Sequence, residues 1–446
     1  MNPTSCGCGS SCSSPTGLDG LSPALRDSIA AAVTALEKDS IALLSDLVRQ
    51  DSQMGQEQGA QSVIARAFID LGLEIDAFAV DEALIRSHPG YSPSIIAYDG
   101  RLNVVGIHKP RATAGKSLIL NGHIDVVPPG DESRWTTPPF EPSVRKGRLY
   151  GRGAGDMKAG IVAYTMAFKA LRSLGYAPAA PVYLQSVVEE ECTGNGALAC
   201  LCRGYRADAA IIPEPFNQTL MTAQIGVMWA EISVTGRAAH MIDRSQGTSA
   251  IDAALIVADH LKTLETEWND PSLRHPAYEG VPHPINFNLG RIEGGEWTSS
   301  VPERCALHWR LSFYPGMSAA EARQAIEDCV AQAVAGDARL DGCAAAIRWY
   351  GFQAPGFEID AQQPMMRLLA DAHRAVSGEA IQEIACTCTT DARFFALYGD
   401  TPATCYGPEA SAIHTFDESV SLQSLREVTT VLALFIAAWC GLERLE

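Results

Sequence analysis

Apolar positions recur at helical spacing from about Pro23 to Val48, with Leu36, Ile41, Leu44 and Leu47 among them. They do so again through Val63, Ala67, Phe68 and Leu71. A period of three to four residues marks helices that bury one stripe. The pattern then shortens into apolar runs at 103–107, 118–127, 182–188 and 209–212. Runs without polar alternation fit strands covered on both faces. A helical stripe of Ile161, Tyr164, Phe168 and Leu171, closed by Gly175, falls between two of them. Helix and strand in alternation predict an α/β fold with a central, mostly parallel sheet flanked by helices. From about Ala223 the texture changes. Residues 228–234 alternate like a strand with one exposed face, and a helix is predicted over 249–264. Strands near 285–292 and 306–313, a helix over 318–334 and a strand over 344–350 follow. This β-α-β-β-α-β order predicts an inserted α+β unit of ferredoxin-like type. Alternation returns with a helix at 365–375, a strand at 403–406 and a last helix over 422–440. The expected division is a disordered tail over 1–20, a body built from 21–222 and 352–446, and an inserted domain over 223–351.

Polar residues interrupt the apolar runs at their ends. Leu118-Ile-Leu-Asn-Gly-His-Ile-Asp-Val-Val127 runs from a strand into His123 and Asp125, before Pro128, Pro129 and Gly130 turn the chain away. Period-two spacing puts both side chains on one face. An imidazole there can ligate a metal while the carboxylate fixes its tautomer or adds charge. On its own such a pair is more often a surface pair or a satisfied core histidine. Gly151-Arg-Gly-Ala-Gly-Asp-Met-Lys-Ala-Gly160 delivers Asp156 at the end of a tight, glycine-rich loop. The sequence argues against a phosphate cradle, because no suitable strand leads in and Lys158 is not followed by Ser or Thr. Glu189, Glu190 and Glu191 abut the 182–188 strand, where three carboxylates repel unless a cation or proton sits among them. The ordinary alternative is a solvated acidic loop. Glu214 stands between Pro213 and Pro215, and His414 follows the last strand. These residues gather at the edge of an α/β sheet where ligands bind. Imidazoles and carboxylates without thiolates point to zinc, cobalt or manganese, not to a structural thiolate zinc site.

Composition adjusts this picture modestly. The chain has 446 residues, 47% hydrophobic and 19% charged, as in a globular protein of two or three domains. A formal charge of −18 argues against nucleic acid and anionic membranes as partners. Thirteen cysteines, Cys6, Cys8 and Cys12 clustered in the tail, and no apolar leader are read as free thiols in a reducing cytoplasm. The apolar run 431–440 is too short to span a bilayer.

Taken together, the motifs resemble the M20 metallopeptidase family, which includes acetylornithine deacetylase, succinyl-diaminopimelate desuccinylase, aminoacylase-1 and the glutamate carboxypeptidases. The likeness covers about residues 35 to 440 and rests on Asn-Gly-His-Ile-Asp-Val-Val-Pro, the 151–160 loop, Glu-Glu-Glu-Cys-Thr-Gly-Asn-Gly, Pro-Glu-Pro and the late His414. It implies two divalent metal ions bridged by Asp156, one also held by His123 and Glu214, the other by Glu191 and His414. Zinc is the expected metal, with cobalt or manganese as alternatives. Asp125 would orient His123, and Glu190 would be the general base. A one-residue slip within the triple Glu would move the base to Glu189 and the metal-ligand role of Glu191 to Glu190. In the inserted domain, a lid that would also pair two subunits, His240 is similar to a histidine that stabilises the oxyanion, often across a dimer. Arg310 matches an arginine that holds a substrate carboxylate, and Asp391 and Arg393 lie in a substrate-binding loop. Two departures stand out: Ser299 replaces the usual Asn before Val-Pro, and Cys386-Thr-Cys388 replaces a Gly-Gly pair.

The resemblance implies a cytoplasmic, homodimeric, dizinc amidohydrolase that removes an acyl group from an N-acyl amino acid or related amine, acetylornithine-type deacetylation leading. An N-formyl amine deformylase or a small-peptide carboxypeptidase is the alternative within the same chemistry. A non-catalytic ligand-binding relative would lack Glu190 or a metal ligand, and none is missing.

Overall fold

The computed structural model describes residues 17–445. Cys6, Cys8, Cys12 and most of the expected tail lie outside the described residues. The tail's last residues, Leu18–Gly20, form a helical turn with Leu18 buried in the body. The stretch expected as one helix from Pro23 to Val48 is two, Pro23–Ala35 and Glu37–Val48, broken at Leu36. Ser22 caps the first by accepting from the Leu25 amide, with Pro23 in its first turn. The apolar period continues across the bend, so spacing alone does not reveal it.

The body's sheet has the strand order Glu74–Ala79, Leu102–His108, Val182–Val187, Leu118–His123, Ala210–Ile212, Ala403–Cys405. Only Leu102–His108 runs against the others. Every residue of Leu118–His123 is buried, which is why that run shows no alternation. Leu422–Trp439 is the one described helix long and apolar enough to cross a membrane by length and composition. Here it packs on Ala159–Ser173 and Pro364–Ser377 and is a core helix of the body.

A second hydrophobic core begins where the inserted domain does. Met221 belongs to the body core and Ala223 to the other; on the return Ala354 still belongs to the inserted domain and Phe357 to the body. The Ala344–Ala354 strand therefore runs past the expected boundary at 351. The inserted sheet is antiparallel throughout, ordered Asn288–Gly294, Arg304–Phe313, Gly226–Thr235, Ala344–Ala354. Two capped helices pack against it: Ser249 caps Ala250–Trp268, and Ser318 forms a capping box with Glu321 at the start of Ala319–Gly336. At the crossing lies a small sheet of Phe357–Glu358, Leu220–Gln224 and Glu383–Cys386.

Candidate metal centre

His123 ends a fully buried strand, and its ring can turn only toward the groups beyond that end. Nδ1 donates to the backbone carbonyl of Asp125 at 2.8 Å. That bond fixes the tautomer and leaves Nε2 facing Asp156 Oδ1 at 3.2 Å and Glu214 Oε1 at 3.8 Å. Asp125 thus steers the imidazole through its main chain. Its carboxylate, 3.7 Å from the ring, has a different task. It accepts the backbone N–H of Glu190 and of Glu191, each at 3.2 Å, and so anchors the acidic loop.

The three consecutive glutamates have separate fates. Glu189 is fully buried and turned away from the cluster. It accepts from Arg101 Nη1 at 2.6 Å, from Thr193 Oγ1 at 2.7 Å and from the Tyr98 hydroxyl. Arg101 also pairs with Glu57 at 2.5 Å. A positive φ of 69° at Glu189 reverses the chain, so the next two side chains leave in a different direction. Glu190 is buried, and its Oε1 has no partner among the described residues. One of its oxygens lies within 4.8 Å of ligand atoms of His123 and Glu214. Glu191 closes a second such group with His123 and Asp156. It also accepts from His414 Nε2 at 3.2 Å.

Asp156 is the shared member. While Oδ1 faces His123, Oδ2 faces His414 Nε2 at 3.3 Å. Its loop is held by Glu418, a residue the sequence did not single out. The Glu418 carboxylate accepts from the amides of Gly153 (3.0 Å), Gly155 (2.9 Å) and Asp156 (3.0 Å), and from Arg152 Nη1 (2.5 Å). Gly153, at φ 76°, supplies the left-handed turn this cradle needs.

So many carboxylates in one buried place disturb one another. Burial, then the charges of Glu214 and Asp391, push Glu190 well above the carboxylate range against the pull of His123. Glu214 rises mainly by burial and Asp125, also by burial, to about 7. Burial opposes charge on Asp156 too, but hydrogen bonds from His123 and His414 outweigh it and hold this carboxyl low. The Glu191 charge, against burial, pushes His414 up to about 11. Burial works against a charged His123, yet Asp156, Glu214 and Asp125 raise it. Buried acids converging on two imidazole nitrogens form a donor set that divalent cations satisfy.

The remaining expected residues are spread more widely. Arg310, on Arg304–Phe313, donates to the Thr387 carbonyl at 3.1 Å, and among the described residues no carboxylate pairs with it. Asp391 is fully buried, both its carboxylate oxygens lack a partner among the described residues, and burial pushes it up to about 6. Arg393, expected on the substrate, is turned inward: it donates to the carbonyls of Thr193 (2.8 Å) and Thr390 (2.7 Å) and braces the loop. His240 is exposed on Ala239–His240, which pairs with Ser300–Val301, and its Nδ1 accepts from the Ile242 amide. Ser299 is exposed beside that pairing, and among the described residues neither side chain hydrogen-bonds or ion-pairs with the cluster.

The description "Peptidase family M20/M25/M40" belongs to the family model that matches residues 119–438. N-formyl-4-amino-5-aminomethyl-2-methylpyrimidine deformylase of Bacillus subtilis is 30% identical over 404 residues, spanning 86% of this chain and 90% of the relative. Succinyl-diaminopimelate desuccinylase of Gluconacetobacter diazotrophicus is 27% identical over 434 residues, spanning 92% and 99%. The structure of human carnosine dipeptidase 1 superposes with a TM-score of 0.73 at 15% identity, over 93% of this chain and 100% of that one, a likeness of fold.

Proposed function

The chain belongs to peptidase family M20/M25/M40 and is a hydrolase of that family; from that premise we propose that it removes the formyl group from an N-formyl amine. The deformylase relative supports this ordering over the acetylornithine-type reaction that leads on sequence alone. The observation that carries the hydrolytic reading is the bridge of Asp156 between two imidazoles, with the buried Glu190 beside it, its Oε1 without a partner among the described residues.

In this reading His123, Asp156 and Glu214 would hold one divalent cation and Asp156, Glu191 and His414 a second, both zinc. Such ions supply Lewis acidity, polarising an amide carbonyl and acidifying water. Glu190 takes a proton from the attacking water and returns it to the leaving nitrogen, giving the free amine and formate. Asp125 keeps the backbone of that glutamate in place. The inserted domain brings Arg310 to the substrate, and His240 acts on the oxyanion of a second copy in a homodimer. Ten free cysteines among the described residues suit a reducing cytoplasm.

A second reading rests on Arg310, a cation without a carboxylate partner among the described residues: the substrate is an N-acyl amino acid whose carboxylate that guanidinium takes. Amine release from N-formyl, N-acetyl and N-succinyl amines, each with and without an α-carboxylate, separates the two, with dipeptides as a control. Chelator-sensitive release from formyl amines lacking a carboxylate is the expected result. Release confined to carboxylate-bearing compounds favours the second reading. No release from any of them, with metal bound, overturns both.

A further inference from the structure

We propose that Cys386 and Cys388 are a redox modification site, where a small peroxide converts two thiols into one intramolecular disulfide and thereby weakens substrate binding. Cys386 ends the Glu383–Cys386 strand and is buried. Side chains two apart on an extended strand share a face but stand roughly 6–7 Å apart. Here the chain bends over Thr387 and Cys388, and the two Sγ atoms lie 2.9 Å apart as free thiols. Among the described residues neither sulfur hydrogen-bonds to a candidate metal ligand, although the charges of Glu214 and Glu190 also act on Cys388. The segment Cys386-Thr-Cys388 stands in place of the Gly-Gly pair of the resembled family.

Their backbone is the join between body and inserted domain. The Tyr278 hydroxyl donates to the Cys386 carbonyl at 2.9 Å, and the Ile225 amide donates to it at 3.2 Å. Arg310 donates to the carbonyl of Thr387, the residue between the cysteines. The Cys388 hydrogen bond, and more weakly the Arg310 charge, favour the Cys386 thiolate against burial, while Cys388 is held protonated. One sulfur is thereby prepared as nucleophile and its neighbour as resolving thiol.

The Cys386 thiolate attacks one peroxide oxygen; the O–O bond breaks, and hydroxide leaves with a proton as water. The Cys388 thiol then attacks the resulting sulfenic sulfur, its proton leaves with the hydroxyl as a second water, and the S–S bond forms. Two thiols are oxidised by two electrons and one hydrogen peroxide is reduced to two waters. Closing so small a ring redirects the Thr387 peptide, and Arg310 loses its acceptor. A thiol reductant reverses the change. The effect on binding rests on the reading of Arg310 as a substrate contact; the disulfide itself does not.

The test uses the full, metal-loaded, reduced chain treated with hydrogen peroxide and then alkylated. Trypsin releases 375–393, which contains no other cysteine. This peptide is expected to lose two hydrogens, reversibly with dithiothreitol. KM should rise about tenfold, the equivalent of one charged hydrogen bond, and the Ile225 amide should exchange faster. In Cys388→Ser the two-hydrogen loss and both shifts should vanish. A peptide that stays a dithiol, or passes to sulfinic acid, overturns the proposal. So does a disulfide that leaves KM and Ile225 exchange unchanged. If no substrate is turned over, the peptide mass and Ile225 exchange still decide the modification, and only the function above has failed.

Discussion

Replacing Glu189 and Glu190 in turn by glutamine separates two adjacent acids that sequence alone leaves interchangeable. Glu189 is fully buried against Arg101 at 2.6 Å, with Thr193 and Tyr98 on its remaining lone pairs. Glu189→Gln removes one charge of a buried Glu57–Arg101–Glu189 network and sets an amide N–H₂ where only acceptors fit. Breaking a buried pair costs about 3–5 kcal/mol. Because Glu57 still compensates Arg101 at 2.5 Å, the low end, about 3 kcal/mol, is expected. Glu190→Gln disturbs nothing comparable. Its Oε1 has no partner among the described residues, and burial already disfavours its charge. Stability should therefore stay level or rise slightly in the metal-free protein, while kcat falls about 10²- to 10⁴-fold with the loss of the proton carrier. Equilibrium urea unfolding, kcat and metal content on both variants make the comparison. Near-normal kcat in Glu190→Gln, with Glu189→Gln inactive but fully stable, would refute the assignment and shift the register by one.

Three further outcomes follow from the same geometry. Glu418→Ala should destabilise the body by about 3–5 kcal/mol, since it leaves the buried Arg152 without its carboxylate and orphans three backbone amides; it should also weaken metal binding, and unchanged affinity would show that Asp156 holds its place without this cradle. His414→Ala should reduce bound metal from two ions per chain to one by elemental analysis, and an unchanged content would remove His414 from the ligands. Zinc affinity should rise with pH: the carboxylates keep His123 and His414 protonated in the metal-free chain, His414 up to about 11, whereas ligation needs neutral rings. Each displaced proton weakens binding up to about tenfold per pH unit lowered, so affinities equal at pH 6 and 8 in chelator-buffered titrations would contradict the charge state described.

What the sequence made legible is the set of groups that interrupt apolar strands. His123 and Glu214 stand out because a buried strand has no reason to end in an unpaired polar residue, and the structure brings both to one sheet edge. The separate fates of the three glutamates were not legible. They depend on Arg101 and Tyr98, distant in sequence, and on the reversed chain at Glu189. Glu418 left no pattern, being a lone acid whose partners are backbone amides of any sequence. Lys158 stood in a phosphate-loop position, yet its Nζ donates to the carbonyls of Leu47 and Gln50 and ties the loop to a helix end. Arg393 matched a substrate motif but spends its donors on Thr193 and Thr390. Spacing records which face a residue shares with its neighbours; it does not record what approaches that face from elsewhere in the chain.

Zinc titrated into the metal-stripped chain, with formate release from an N-formyl amine followed at each step, tests the central claim most directly. The expected result is no release without metal and a plateau at two equivalents per chain, with Glu190→Gln binding the same two and releasing almost nothing. Release from the metal-free chain, or two bound ions with an inert wild type across formyl, acetyl and succinyl amides, would contradict it.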